Sequence, residues 1–73
     1  MRPYNRGMNV IVNGKPESIE DNATVSRLLE QHSLSKAPCA VEVNKSIVPK
    51  KAHGEHKLRE GDRVEIVTLV GGG

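Results

Sequence analysis

Apolar and polar residues alternate along Met8-Asn9-Val10-Ile11-Val12, with Met8, Val10 and Val12 on one side, the period-two mark of a half-buried strand. Asn13-Gly14 follows. Both residues tolerate positive φ, so the pair predicts a tight hairpin turn. Lys15 to Ile19 then returns as a second strand, and Pro16 places it at a sheet edge. Thr24 suits the N-cap of a helix from Val25 to about His32. Val25, Leu28, Leu29 and His32 fall at i, i+3, i+4 and i+7 and share one face of it. Ala40 to Asn44 alternates again, with Val41 and Val43 inward and Glu42 outward. Ile47-Val48-Pro49 reads as a short extended piece, and Pro49 to Lys57 as irregular or a single helical turn. Glu60-Gly61-Asp62 is a turn, and Arg63 to Val70 is the last strand.

This order is ββαββ, with a minor strand near Ile47, and it predicts an α+β fold: one mixed sheet with one helix packed on one face. The first and last strands are expected side by side and parallel at the centre. The helix then covers Val10, Val12, Ile19, Val41, Val43, Val64 and Ile66. Residues 1–7 are polar and basic, contain Pro3 and show no periodicity, so they are expected to be a disordered N-terminal extension. Residues 8–70 form the folded domain and residues 71–73 a flexible glycine tail.

Composition narrows the function classes. A chain of 73 residues holds one domain, and a domain this small buries only about 60% of its unfolded surface. It has no Trp or Phe, and Tyr4 is the only aromatic residue, so the core is built from Val, Ile and Leu. With one ring only, base stacking and aromatic-cage recognition, which need exposed rings, are limited. Arg2 and Arg6 account for the whole net charge of +2. Lys50-Lys51 is too small a basic spot for a nucleic-acid surface, so no nucleic-acid partner is expected. Cys39 is the only cysteine, which excludes an internal disulfide and suits a reduced, cytoplasmic setting. The N-terminus has no apolar signal region, and no run is long enough to span a membrane.

The C-terminus carries the strongest functional signal. Gly71-Gly72-Gly73 follows directly on the apolar run Val64 to Val70, which only Glu65 and Thr68 interrupt. Glycine lets a backbone approach another surface closely, and three extended residues span roughly 10 Å. Such a tail can thread a slot too narrow for side chains and present its carboxylate inside another protein. A terminal carboxyl group ordinarily titrates near about 3.5, so it is ionised at neutral pH and is a ready nucleophile for an activated phosphate.

Taken together, the ordered elements resemble the ubiquitin-like β-grasp fold. Val43-Asn44 with Ile47-Val48-Pro49, then Gly61-Asp62-Arg63-Val64-Glu65-Ile66-Val67, then Val70-Gly71-Gly72-Gly73 resemble the bacterial sulfur carriers of thiamine thiazole synthesis, the ThiS family. The resemblance runs from Met8 to Gly73. It implies a protein co-substrate and not an enzyme. A ThiF-like adenylating enzyme uses ATP and Mg²⁺ to convert the terminal carboxylate, here that of Gly73, to an acyl-adenylate. Sulfur from a persulfide donor replaces the adenylate as a thiocarboxylate, which is delivered to a ThiG-like thiazole synthase. Gly71 and Gly72 are then the threading tail, and the carrier itself binds no cofactor. The family commonly starts at the equivalent of Met8, and many related carriers end in two glycines, so residues 1–7 and the third glycine are departures.

The other chemistry-bearing residues point less far. Cys39 has no adjacent histidine or basic cluster to activate it and reads as a small apolar residue at a strand entrance. His53 and His56 lack the further nearby ligands that a metal requires, so no metal site is expected. His32 continues the apolar helix face, at its rim. Ile11, Val67 and Leu69 lie on strand faces opposite the core positions and form the expected partner-docking surface. Two other readings stay open: a carrier for another pathway, such as the small subunit of molybdopterin synthase, and a β-grasp interaction module without chemistry at its tail.

Overall fold

The computed structural model describes residues 7–69. Five strands and one helix follow in the order β1 (Gly7–Val12), β2 (Lys15–Glu20), α1 (Val25–Gln31), β3 (Cys39–Val43), β4 (Ser46–Ile47) and β5 (Arg63–Thr68), with one 3₁₀ turn at Lys50–Ala52. They form a single sheet in the order β2-β1-β5-β3-β4. β1 and β5 are parallel at its centre, and the other pairs are antiparallel. This is the expected mixed sheet of the ubiquitin-like β-grasp fold, with the minor strand at Ile47 present as β4. Asn13 (φ 50°) and Gly14 (φ 85°) both take the left-handed conformation that a tight hairpin turn demands.

One face of the sheet is closed by aliphatic side chains alone. Met8, Val10, Val12, Ile19, Val41, Val43, Val64 and Ile66 are buried against Val25, Leu28 and Leu29 of α1. A seven-residue helix is too short to persist in water by itself. Its apolar stripe and its capping hold it in place. The Thr24 hydroxyl accepts from the Arg27 N–H at 3.2 Å, as expected for an N-cap.

Three details differ from the expectation. Gly7, expected to belong to the extension, is the first residue of β1 and pairs with Glu20. Its backbone runs so close to β2 that a Cβ would lie 2.9 Å from the Ile19 carbonyl oxygen, so this register suits glycine. His32 ends the helix as its C-cap and turns away from the core, its Nε2 2.8 Å from a Glu17 carboxylate oxygen. The third is the polar stretch after β4, which is not loosely packed. Val48, His53 and Leu58 are buried, and the carbonyls of His53 and His56 accept the Ser26 and Val25 N–H groups at 2.9 and 3.0 Å. The first turn of α1, whose N–H groups have no partners within the helix, is thus satisfied by a loop well downstream in the chain. The remaining described segments fit the expected plan except at strand ends, where β3 is shifted by one residue to Cys39–Val43 and β5 stops at Thr68, before Leu69; residues 1–6 and Val70, the expected end of the last strand, lie outside the described residues.

The Asn13 side chain does more than permit the turn. Its Oδ1 accepts from the Ile66 N–H at 2.8 Å, and its Nδ2 donates to the Ile66 carbonyl at 3.2 Å. Asn13→Gly keeps the turn conformation and removes both bonds. At about 1 kcal/mol net per hydrogen bond, we expect it to lower unfolding free energy in urea by about 1–2 kcal/mol. Asn13→Asp keeps the acceptor and is expected to lose less.

Candidate functional site: the root of the C-terminal tail

β5 leads into the glycine tail, and it is the most constrained strand of the sheet. β1 pairs along one side of it and β3 along the other. The ladder with β3 extends past the strand itself, since the Leu69 N–H donates to the Pro38 carbonyl at 2.9 Å. Gly71, Gly72 and Gly73 lie outside the described residues, so the geometry on view is that of the platform from which they leave.

Alternation along β5 sorts its side chains. Val64 and Ile66 enter the core, while Val67 and Leu69 are 56% and 52% exposed. Ala40, exposed on β3, is the register partner of Val67. Ile47 of β4, 71% exposed, is paired with Glu42 of β3, which is in turn opposite Glu65 of β5. The outer face near the tail therefore holds Val67, Leu69 and Ala40 beside two carboxylates directly across from each other. Like charges in that relation weaken a sheet slightly.

The structure does not bring the three expected docking residues together. Ile11 is half-buried and lies beside Arg63 on β5 and opposite Pro16 on β2. From Arg63 to Val67 the strand runs about 13 Å. Val67 and Leu69 flank the root of the tail, whereas Ile11 belongs to the far end of the same face.

Beside the root, Leu29, Leu34, Cys39, His53 and Leu69 line a shallow open cavity of about 200 Å³, with Lys36 and Lys50 also along it. Cys39 is the first residue of β3, half-buried and packed on the core edge. The expectation placed it just before the strand. His53 is only 7% exposed, and its Nε2 lies 3.1 Å from the Val48 carbonyl oxygen, which identifies that nitrogen as the donor. Its ring helps hold the loop that caps α1. Among the described residues no group of three or more His, Cys, Asp or Glu side chains is placed to hold a metal ion. No helix among them is long and apolar enough to cross a membrane. Sequence reasoning missed Asn13 and Pro38 as determinants of the root. The Asn13-Gly14 turn was legible, but its side-chain bond across 53 residues had no local signal.

Exposure on β5 makes a direct stability contrast. Val67→Lys is expected to shift unfolding free energy by less than about 0.5 kcal/mol. Ile66→Lys, which puts a charge into the core one residue earlier, is expected to leave the chain unfolded. Urea titration followed by circular dichroism separates the two.

Comparison with known proteins supports a specific family. The ThiS family pattern matches residues 5–73. The sulfur carrier protein ThiS of Bacillus subtilis is 39% identical over 54 residues, covering 74% of this chain and 82% of that protein. A thiazole synthase of Paramagnetospirillum magneticum is 35% identical over 66 residues, which cover 90% of this chain; the chain spans only 20% of that protein's length. The crystal structure of the thiamine biosynthesis protein ThiS from Geobacter metallireducens superimposes with a TM-score of 0.72 at 34% identity, covering 90% of this chain and all of the other. The β-grasp sheet described above and these matches lead to one assignment: the chain belongs to the ThiS family.

Proposed function

We propose that this chain carries sulfur on the carboxyl group of Gly73 and donates it for thiazole formation. The observation that carries this reading is the central strand β5, tied to β1, β3 and the Asn13 side chain and followed in the sequence, after Leu69 and Val70, by three glycines. A rigid root and a tail without side chains suit delivery of one terminal atom into an enclosed site.

The chemistry requires a partner. Carboxylate oxygen attacks the α-phosphorus of ATP and displaces pyrophosphate, giving an acyl-adenylate. Outside the tail the chain's glycines, Gly7, Gly14, Gly54 and Gly61, are isolated and form no phosphate-cradling loop. A ThiF-like adenylating enzyme with Mg²⁺ therefore supplies this step. The terminal sulfur of a persulfide attacks the acyl carbon and AMP departs. A thiolate then attacks the donor's own sulfur, forming a disulfide with it, and the sulfur–sulfur bond breaks with its electron pair going to the departing thiocarboxylate. The carrier binds no cofactor in this scheme and turns over no substrate by itself. A thiazole synthase is the acceptor, a choice favoured by the thiazole synthase that contains a segment similar to this chain. Val67 and Leu69 dock partners beside the tail, and Ile11 extends that contact across the sheet. A cytoplasmic location fits the reduced thiol of Cys39 and the sulfur chemistry.

Intact-mass spectrometry tests the reading after incubation with ATP, Mg²⁺, the adenylating enzyme and a persulfide donor. We expect a gain equal to exchange of one carboxyl oxygen for sulfur, absent from a chain lacking Gly73. No gain in the full chain, with the enzyme active on another carrier, would overturn the assignment. In the same assay Val67→Lys is expected to raise the carrier concentration needed for half-maximal activation by about tenfold, the equivalent of about 1.4 kcal/mol of docking energy.

A further inference from the structure

The two edges of β5 are paired to different lengths. On the β3 side, backbone bonding continues to Leu69. On the β1 side it ends sooner, because the chain turns back at Asn13-Gly14 to make β2. The Ile11 N–H donates to the Asp62 carbonyl and the Asn13 N–H to the Val64 carbonyl, both at 2.8 Å. The Asn13 side chain then supplies a final rung at Ile66. Residues 62, 64 and 66 thus face β1, and by the alternation of strand backbone Thr68 faces the same way. The turn ends before it reaches Thr68.

The β3 side does not use the Thr68 backbone either. Rungs fall at Asn44 with Arg63 and at Pro38 with Leu69. The Cys39 and Thr68 pair between them is therefore of the kind whose N–H and C=O groups point outward from the pair. No hydrogen bond joins the Thr68 backbone to the β1 side among the described residues. Among the described residues, one N–H and one C=O thus have no backbone partner at the root of the tail, between the exposed side chains of Val67 and Leu69.

We propose that this open edge receives an extended segment of thiazole synthase, which pairs with the backbone of Thr68. The proposal rests on the carrier reading above. Strand addition matches free backbone groups with backbone groups and uses alternate side chains for selectivity. The other edges of the sheet are poorly suited: β2 carries Pro16 with Lys15, Glu17 and Glu20, and β4 is two residues long. A backbone rung at Thr68 also has a mechanical consequence. It fixes the register of the strand against the partner and so the depth to which Gly73, at most about 17 Å further along, enters the acceptor site. A side-chain contact alone would leave a glycine tail free to slide. Thiazole synthase is the committed partner because a segment similar to this chain occurs within one.

Proline and valine at position 68 separate backbone pairing from side-chain contact. Thr68→Pro removes an N–H that the free chain does not use and keeps an extended φ, so the urea midpoint is expected to stay near that of wild type. Thr68→Val keeps the N–H. Titration against thiazole synthase is expected to show binding weakened at least about tenfold for Thr68→Pro and altered by less than about twofold for Thr68→Val. Amide hydrogen exchange gives a second readout on the wild-type chain, with Thr68 exchanging fast when free and protected in the complex. Equal binding by Thr68→Pro, or an unprotected Thr68 amide in the complex, would overturn the proposal. If Thr68→Pro unfolds, the exchange result decides. Failure of the wild-type chain to bind thiazole synthase would remove the proposed occupant, whereas thiocarboxylate formation at Gly73 stands or falls separately by mass.

Discussion

The parallel contact between β1 and β5 brings the beginning and the end of the chain together, and the other elements are arranged around it. Ile11 and Val12 meet Arg63 and Val64 across most of the length of the chain. Closing so long a loop costs only slightly more than closing a shorter one, because the entropy grows with the logarithm of length. What makes the contact durable is that both strands bury the same face. Val10, Val12, Val64 and Ile66 meet Leu28 and Val25 of the helix in one aliphatic layer. Asn13 closes the contact where β1 ends, so the turn that starts the returning strand is also tied to the last strand.

A domain of this size has little redundancy. With no Phe or Trp to bury, each Val, Ile or Leu in the layer carries a large share of the stability, and a buried aliphatic side chain contributes roughly 1.5–3 kcal/mol. The stretch from Val48 to Leu58 is recruited as well. It adds two apolar side chains to the core and lends carbonyls to the start of the helix. By contrast, the ion pairs of Arg27 with Glu20 and Glu30 lie on the surface. They raise the Arg27 pKa, first through the hydrogen bond to Glu20, but exposed pairs of this kind contribute little to stability.

Much of this was legible in the residues. Period-two alternation marked β1 and β3, an apolar run marked β5, Asn13-Gly14 marked the hairpin, and the spacing of Val25, Leu28 and Leu29 marked the helix. Those signals are local, and local physics produces them. The parts that escaped depend on tertiary partners. His53 and Leu58 sit in a polar stretch with no period, and only the nearby helix N-terminus gives that loop its role. Gly7 looked like the end of an extension because its pairing with Glu20 leaves no pattern. The outward face of the sheet was readable residue by residue, but the separation of Ile11 from Val67 depends on register. The glycine tail was read from the order of the last three residues, which lie outside the described residues.

Function in this account comes from contrast between neighbouring parts of one strand. β5 is packed where Val64 and Ile66 enter the core, the chain is exposed and apolar at Val67 and Leu69, and after Val70 come three residues with no side chains. In the proposed function, anchoring, docking and delivery fall to successive stretches of the chain. The central claim is that the sulfur atom delivered to the thiazole is the one held at Gly73. The most direct test is to prepare the chain with isotopically labelled sulfur at its terminal thiocarboxylate and supply it, with unlabelled sulfide in solution, to thiazole synthase and its small-molecule substrates. The account predicts label in the thiazole ring and an unlabelled carboxylate recovered on the protein. A thiazole carrying only unlabelled sulfur, with the label still on the chain, would contradict it.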